Sequence, residues 1–416
     1  MRTVSKTVIG VDFGTQSARA VLVNAENGEI IYSCRKEYHY NSTPVPAIDC
    51  AENLPCATDY EMTLYELLRN VIPEEYRKTV AGICIDATSL TMVLLAEDGR
   101  ALSELDGWSE AAHARVKLWK YHRAQEKADE ALNLASNLQE PFLGRTGGSI
   151  SCEWMLPKLL EVRDEAPEIY SKIDLAMDLC EFLTFRLTGQ LVRSIGSLSY
   201  KCLWAEDLSF PERTFLNGLR AGFYEEYCHF LRGDVRKPGE CAGMLRSELT
   251  KRWGLPEQIP VATGMLDGHT SLATMGAFEP GDAALIVGTS NVCTVQNRKL
   301  QELKDVCGVA QDGMVTGSCG IDTGQSSTGN MLGWFVEHMA GWQIHREAEE
   351  RKISPHQVLA ERIQKPWENK VIAVDWWSGS RNAPCDLTLR GSMSGLEMDT
   401  KTEDIYLALL QAIACG

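Results

Sequence analysis

The sequence has no run near the roughly 18–20 apolar residues that a helical membrane span needs. It also has no C-x-x-C pair, no H-E-x-x-H and no close Cys/His cluster. These absences argue against a membrane partner and against a zinc site. The opening Met-Arg-Thr-Val-Ser-Lys-Thr lacks the apolar core of a signal peptide and runs straight into a strand-like segment. Positive charge is in deficit: 41 Lys and Arg stand against 57 Asp and Glu, a formal net charge of -16. A general nucleic-acid or anionic-membrane binder would be repelled by its partner at that balance. A phosphate ligand is not excluded, because it needs only a local nest of amide N–H groups and a metal ion. The 14 cysteines are scattered through 416 residues, and in a chain of that length they read as reduced, small apolar residues of a cytoplasmic protein. With 44% hydrophobic and 24% charged residues, the composition is that of a globular α/β chain of two domains.

What is present begins with a meander. Thr7 to Phe13 is apolar and β-branched, Gly14-Thr15-Gln16-Ser17 is a turn, and Ala18 to Asn24 is a second strand. Asn27-Gly28 signals a hairpin into a third strand, Glu29 to Tyr38. Thr58-Asp59-Tyr60-Glu61 fits a capping box ahead of a helix with Met62, Tyr65, Leu68 and Ile72 on its apolar face. Val80 to Leu95 predicts strand, and residues 111–140, 153–165 and Asp174 to Thr188 predict helix, the last closed by Gly189. Strands return at Pro260 and at residues 283–297, where Gly288-Thr289-Ser290-Asn291 repeats the design of Gly14-Thr15-Gln16-Ser17. A duplicated domain with one Gly-Thr hairpin per half, both facing a shared cleft, explains the repeat; two unrelated hairpins are the bland alternative.

Such a cleft suits phosphoryl transfer. Phosphate oxygens need close backbone N–H donors, which favours glycine turns with small hydroxyl neighbours. A divalent cation needs a carboxylate, often through water. Asp12 to Ser17 supplies carboxylate, glycine and hydroxyls in one turn, and Gly288 to Ser290 supplies a second turn without an acid. Asp267, in Gly264-Met265-Leu266-Asp267-Gly268-His269, lies at a strand end just before the second hairpin. An Asx-type turn without chemistry is its competing reading. His269 titrates nearer neutrality, but a loose phosphoryl-transfer transition state asks little of base strength, so Asp267 is the preferred base.

These residues resemble the FGGY family of carbohydrate kinases, and within it the bacterial ribulokinase branch. The resemblance rests on Asp12 to Thr15 with Ala18-Arg19-Ala20, Cys84-Ile85-Asp86-Ala87-Thr88-Ser89, Val116-Lys117-Leu118-Trp119-Lys120 and Glu153-Trp154-Met155-Leu156-Pro157-Lys158. Further on it rests on Tyr200-Lys201-Cys202-Leu203-Trp204, Gly264 to His269, Gly288-Thr289-Ser290, Gly324-Gln325-Ser326 and Asp375-Trp376-Trp377-Ser378-Gly379-Ser380-Arg381. It implies two actin/hexokinase-like (ribonuclease H-like) domains, 1–275 and 276–416, each with a mixed sheet, closing on ATP, Mg2+ and a sugar. Residue by residue it implies Asp267 as base and Asp12 beside the metal. Gly14, Thr15, Gln16, Ser17, Gly288, Thr289 and Ser290 would lie around the phosphates, and Lys201, Asp322, Thr88 and Ser89 at the sugar.

The implied activity is ATP-dependent phosphorylation of a ketopentose of the L-ribulose type at a primary hydroxyl. The alternatives are a kinase for another pentulose or polyol (D-ribulose, xylulose, ribitol) and an inactive sugar- or nucleotide-binding fragment. A small-molecule sugar is the expected partner, and a homo-oligomer is compatible with the reading. Lys201 could instead snorkel from its aromatic neighbours, Thr88 and Ser89 could be satisfied turn hydroxyls, and Lys117 and Lys120 read as a solvated helix face. Trp119, Trp376 and Trp377 read as packing residues. Two departures stand out. Asp322 occupies a place where the ribulokinase branch usually has glutamate, a reach shorter by about 1.5 Å, which leaves the preferred pentulose or pentitol open. The sequence also stops at Gly416, inside what the family would make a long helix, so the second domain is expected to be partial.

Overall fold

The computed structural model describes residues 6–38, 54–365, 368–381, 386 and 388–416. The Met1 to Ser5 start, read above for a signal peptide, lies outside them. Strands β1 (Thr7–Phe13), β2 (Ser17–Asn24) and β3 (Ile30–Glu37) form the expected meander. In β1 the alternating Ile9, Val11 and Phe13 are buried, as period-2 apolar patterning requires. Gly28 takes φ +74° at the β2–β3 turn, where a side chain would be strained. Helix α1 (Ala57–Val71) then covers the sheet and leads to β4 (Val80–Ala87). The capping box is not formed: Cys56 occupies the N-cap, and Thr58 Oγ1 donates to Glu104 Oε1 at 3.1 Å instead. The buried face of α1 is Tyr60, Leu64, Leu67, Leu68 and Val71, and Met62 is exposed.

The first sheet runs β3-β2-β1-β4, then the strands Pro260–Ala262 and Cys241–Met244. β1 and β4 are parallel with Asp12 opposite Asp86, and the short strand Met265–Leu266 pairs with β4 so that Met265 faces Asp86. Three acidic residues, Asp12, Asp86 and Asp267, are thereby gathered at one end of the sheet. Between β4 and Cys241 the chain builds a helical lobe with its own core, including Leu156, Leu160, Phe215 and Tyr227. The predicted helix 111–140 is realised as a 3-10 turn, Ala112–Ala114, and the helix Gln125–Leu138, and 174–188 divides into the strand Leu175–Asp178 and the helix Leu179–Thr188. Asp178 makes that division: it caps the helix, accepting from Leu179 N–H at 2.8 Å.

The second sheet has the order 283–287, 291–297, 319–325, 308–311 and is antiparallel throughout among the described residues, not mixed as the resemblance implies. Its Gly-Thr hairpin is one residue tighter than the first: Val287 faces Asn291, whereas Phe13 faces Ala18. A third core is built from the helices Gly329–His338, Gly341–Arg351, Pro355–Arg362 and Thr402–Cys415. No helix among the described residues is long and apolar enough to cross a membrane.

Candidate active site

Three devices bring the site together. The first is Tyr200. A Cβ placed on Gly308, Gly313 or Gly320 would sit 2.8, 2.6 or 2.5 Å from its side chain, and its hydroxyl donates to Gly320 O at 2.8 Å. Glycine at these positions lets the helix Ile195–Lys201 seat directly on the second sheet, which carries Lys201 to Asp322. The second device is Lys158, fully buried, whose Nζ donates to Leu90 O (2.7 Å) and Leu118 O (2.9 Å). It ties the loop after β4, with Thr88 and Ser89, to the segment carrying Trp119. The third is Asp178 Oδ2, which accepts from Leu90 N–H at 3.1 Å and Ser197 Oγ at 3.0 Å, fixing the same loop to the Lys201 helix.

Lys201 Nζ donates to Asp322 Oδ2 at 3.1 Å, and His269 Nε2 lies 3.5 Å from the same oxygen. All three side chains are buried. Burial works against the Asp322 charge, but the Lys201 ammonium and His269 outweigh it and hold the carboxyl well below the usual range. Lys201 is thus an ion-pair partner inside the site rather than a snorkelling surface residue.

Asp267 begins the helix Asp267–Met275, and its Oδ1 accepts from Gly268 N–H at 2.7 Å. Burial pushes its carboxyl up to about 6; hydrogen bonds from the Gly268 and Ser89 N–H groups and the Lys201 charge pull down, and the Asp12 charge pushes up. A Cβ on Gly268 would touch Val292 Cγ1 at 3.4 Å. Asp267 therefore stands between the first hairpin, through Asp12, and the second, through the strand that carries Val292. Asp86 completes the acidic group. Burial, then Asp12 and then Asp267 drive its carboxyl far above the ordinary carboxylate range, and its Oδ1 is buried without a partner among the described residues. Sequence reasoning quoted Asp86 within a motif and assigned it no role; the signal was its register with Asp12 on a parallel neighbour.

The hairpins themselves are braced. Gly14 N–H donates to Ser17 O at 3.1 Å and Tyr38 OH to Gly14 O at 2.8 Å. Trp119 Nε1 donates to Thr15 Oγ1 at 3.2 Å, so this tryptophan does more than pack. Gln16 is exposed and Ser17 is buried, where its Oγ accepts from Arg35 Nε at 3.1 Å. Gly288 and Thr289 are exposed at the second turn, and Ser290 closes it, its carbonyl accepting from Gly288 N–H at 3.2 Å. Gly329 N–H donates to Gly288 O at 3.0 Å, setting the helix Gly329–His338 behind that hairpin. Thr88 is committed to the loop, its hydroxyl 2.8 Å from that of Thr91.

Two residues without an assigned role join the two halves. Arg381 Nη2 donates to Glu153 Oε1 at 2.9 Å, and the guanidinium lies over the Trp119 ring, 5.4 Å from its centroid. His122 Nε2 lies 3.0 Å from the same Glu153 oxygen. Lys117 corrects the sequence reading: it is fully buried, 4.0 Å from Glu161 and over the Tyr121 ring, not a solvated face.

Five buried polar atoms without a partner among the described residues gather around this place: Asp86 Oδ1, Ser89 Oγ, His269 Nδ1, Ser326 Oγ and Arg381 Nε. Each such atom costs about 1–3 kcal/mol, so a polar ligand bound here would relieve them. Other orphaned atoms are scattered through the cores.

Comparison with known proteins places this geometry. Residues 7–274 match the N-terminal domain of the FGGY family of carbohydrate kinases, and residues 283–416 match its C-terminal domain. The chain is 33% identical over 422 residues to a ribulokinase of Halalkalibacterium halodurans and 36% identical over 427 residues to one of Mycolicibacterium smegmatis. Each alignment covers 99% of this chain and 75% of the relative. In fold the chain is similar to the xylulose kinase of Lactobacillus acidophilus (TM-score 0.76, 18% identity), over 98% of this chain and 76% of that one. It is likewise similar to a gluconate kinase of the same organism (TM-score 0.76, 19% identity), again over 98% and 76%.

Proposed function

The chain belongs to the FGGY family of carbohydrate kinases, and from that premise we propose that it transfers the γ-phosphoryl group of ATP to a primary hydroxyl of a ketopentose of the L-ribulose type, in the cytoplasm. The observation that carries this reading is the buried Lys201–Asp322–His269 group facing Asp267 between two Gly-Thr hairpins. A neutral polyhydroxyl acceptor suits it: Asp322 accepts hydrogen bonds from hydroxyls, Lys201 donates, and Ser89 Oγ and His269 Nδ1, without a partner among the described residues, offer further contacts.

The residues fit a hard divalent cation such as Mg2+. Asp12 and Asp86 present only oxygen donors, and the orphaned Asp86 Oδ1 and its raised carboxyl are what a cation would relieve. No cage of three ligating side chains is assembled among the described residues, in keeping with an ion that keeps waters and phosphate oxygens in its shell. When bound, it supplies charge neutralisation on the transferring phosphate. The chain's own residues do the rest. Gly14 to Ser17 and Gly288 to Ser290 hold the phosphates, Lys201 and Asp322 fix the sugar, and Asp267 takes the proton of the attacking hydroxyl. Burial of Lys201, Asp322 and His269 keeps water from competing as acceptor.

The test is ADP release on addition of L-ribulose, D-ribulose, D-xylulose or ribitol, with Asp267→Asn as the control. Sugar-dependent release that is fastest with L-ribulose and lost in Asp267→Asn is expected. Sugar binding without any release would replace a kinase by a binding protein, and a higher kcat/KM with another acceptor would reassign the substrate.

A further inference from the structure

The first domain carries a cavity away from the candidate active site, a cleft of about 550 Å3 on the outer face of α1, bounded by the turn Glu74–Thr79 and the helix Ser247–Trp253. Arg69, Arg77 and Arg252 line it. In a chain with a net charge of -16 carboxylates are abundant, and most arginines elsewhere find them: Arg186 pairs with Glu61, Arg193 with Glu181, Arg220 with Asp164. Among the described residues the three cleft arginines have no ion-pair partner. The one acidic lining residue, Glu66, is engaged by Lys36 at 3.0 Å. Beside the cleft, Glu61 is held by Arg186 and by the Tyr65 hydroxyl.

Beneath these charges Tyr65 is half-buried and rests on Trp253, which is buried. The Tyr65 and Trp253 rings lie 5.8 Å apart at 58°, and Arg252 stands over Tyr65, 5.8 Å from its centroid. Three solvated arginines on a convex surface would carry no meaning. Here they converge on a concavity of small-molecule size with an aromatic wall, the combination of anchors and body contact that a ligand site needs. β4 starts at Val80, three residues past Arg77, and ends at Ala87 beside the acidic group. Eight strand residues span about 26 Å, so the cleft is separate from the active site.

We propose that this cleft binds a small phosphomonoester whose body has a face, a flat base or the C–H side of a sugar, to lay on an aromatic ring. The guanidinium forks take the phosphate oxygens, and the half-buried Tyr65 ring, backed by Trp253 and flanked by the exposed Met62, takes the body. A nucleotide and a sugar phosphate share that chemistry. The proposal does not depend on the kinase reading, since none of these residues belongs to the site described above.

The experiment measures binding of AMP, a pentose 5-phosphate and inorganic phosphate to the full chain by calorimetry, at low and at 0.5 M salt, against the same chain carrying Arg77→Gln and Arg252→Gln. One organic phosphate should bind at least tenfold more tightly to the unsubstituted chain, more tightly than inorganic phosphate, and more weakly at high salt. Which of the two it is identifies the source. Equal affinity in both chains, or no binding to either, would overturn the proposal. So would inorganic phosphate matching both organic probes, because the aromatic wall would then contribute nothing. Unchanged circular dichroism and catalytic turnover in the substituted chain establish that the loss is local, and Arg252→Lys, which keeps the charge but not the fork, should fall between the two.

Discussion

In the proposed mechanism Asp267 is the base, and there chemistry and pH dependence meet. A raised carboxyl, near 6, is still charged at neutral pH and can accept a proton. Below that value the base is occupied, so kcat should fall about tenfold per pH unit. Asp267→Asn should lower kcat by about 10²–10⁴-fold with little change in sugar KM, and the acid limb of the profile should vanish with it. The stability effect has the opposite sign. The folded-state value lies above the unfolded one of about 3.9, so the native carboxylate is unfavourable at neutral pH and is relieved as pH falls through 6. Asp267→Asn should therefore raise the thermal midpoint at pH 7.5, and much less so at pH 4. Lys201 and Asp322 are a different case, a buried pair in which each needs the other. Lys201→Met strands Asp322 and should destabilise by about 3–5 kcal/mol. The double variant Lys201→Met/Asp322→Leu should recover most of that stability and none of the activity. Turnover by the double variant would show that the pair serves the fold alone.

At this scale the sequence was legible where a residue type is tied to a local shape. Gly14, Gly288 and Asp267 sit at turns and strand ends that a linear reading can find. Asp86 was not legible as a site residue, because its meaning depends on lying opposite Asp12 across a parallel pair whose strands are separated by α1. Lys117 was misread because its burial against Glu161 is a tertiary fact with no local signature.

Among elements, the second hairpin depends on what stands behind it. The first is closed by its own strand pairing and by Tyr38; the second leans on the start of the helix Gly329–His338, through Gly329 and through Thr328 Oγ1, which donates to Gly288 O at 3.0 Å. A Cβ on Gly329 would lie 2.5 Å from Gly288 O, a backbone atom that cannot swing aside. Gly329→Ala should therefore displace the hairpin rather than unfold the domain. The expected result is a several-fold rise in KM for ATP with sugar KM unchanged, and a stability loss of about 1–3 kcal/mol. The hairpin repeat was visible in the sequence, but its tighter register was not: both turns read Gly-Thr, and the missing residue is decided by the strand pairing.

For the whole molecule, the question is what makes two separately cored halves act as one enzyme. Tyr200 seats one on the other, yet it is a static contact. A second link between the halves is Arg381, which bonds Glu153, stacks on Trp119 and so connects to Thr15 in the first Gly-Thr hairpin. Burial opposes the Glu153 charge, but Arg381 and His122 overcome it and hold the carboxyl down at about 2. Its folded-state value lies below that of the unfolded chain, so its stabilising contribution is complete above about pH 4.3 and is lost as pH falls toward 2. Arg381→Ala leaves a buried carboxylate with only His122 and opens the Trp119 face. It should lower stability by about 3–5 kcal/mol and weaken coupling as well, raising ADP release without sugar relative to release with it. Glu153→Gln removes the charge but keeps the shape, so it should retain more of the coupling than Arg381→Ala does. A double-mutant cycle on the two, read by unfolding and by the ratio of sugar-dependent to sugar-independent ADP release, separates these effects. If the interaction appears in stability but not in that ratio, the bridge holds the halves together without coupling the first Gly-Thr hairpin to the sugar.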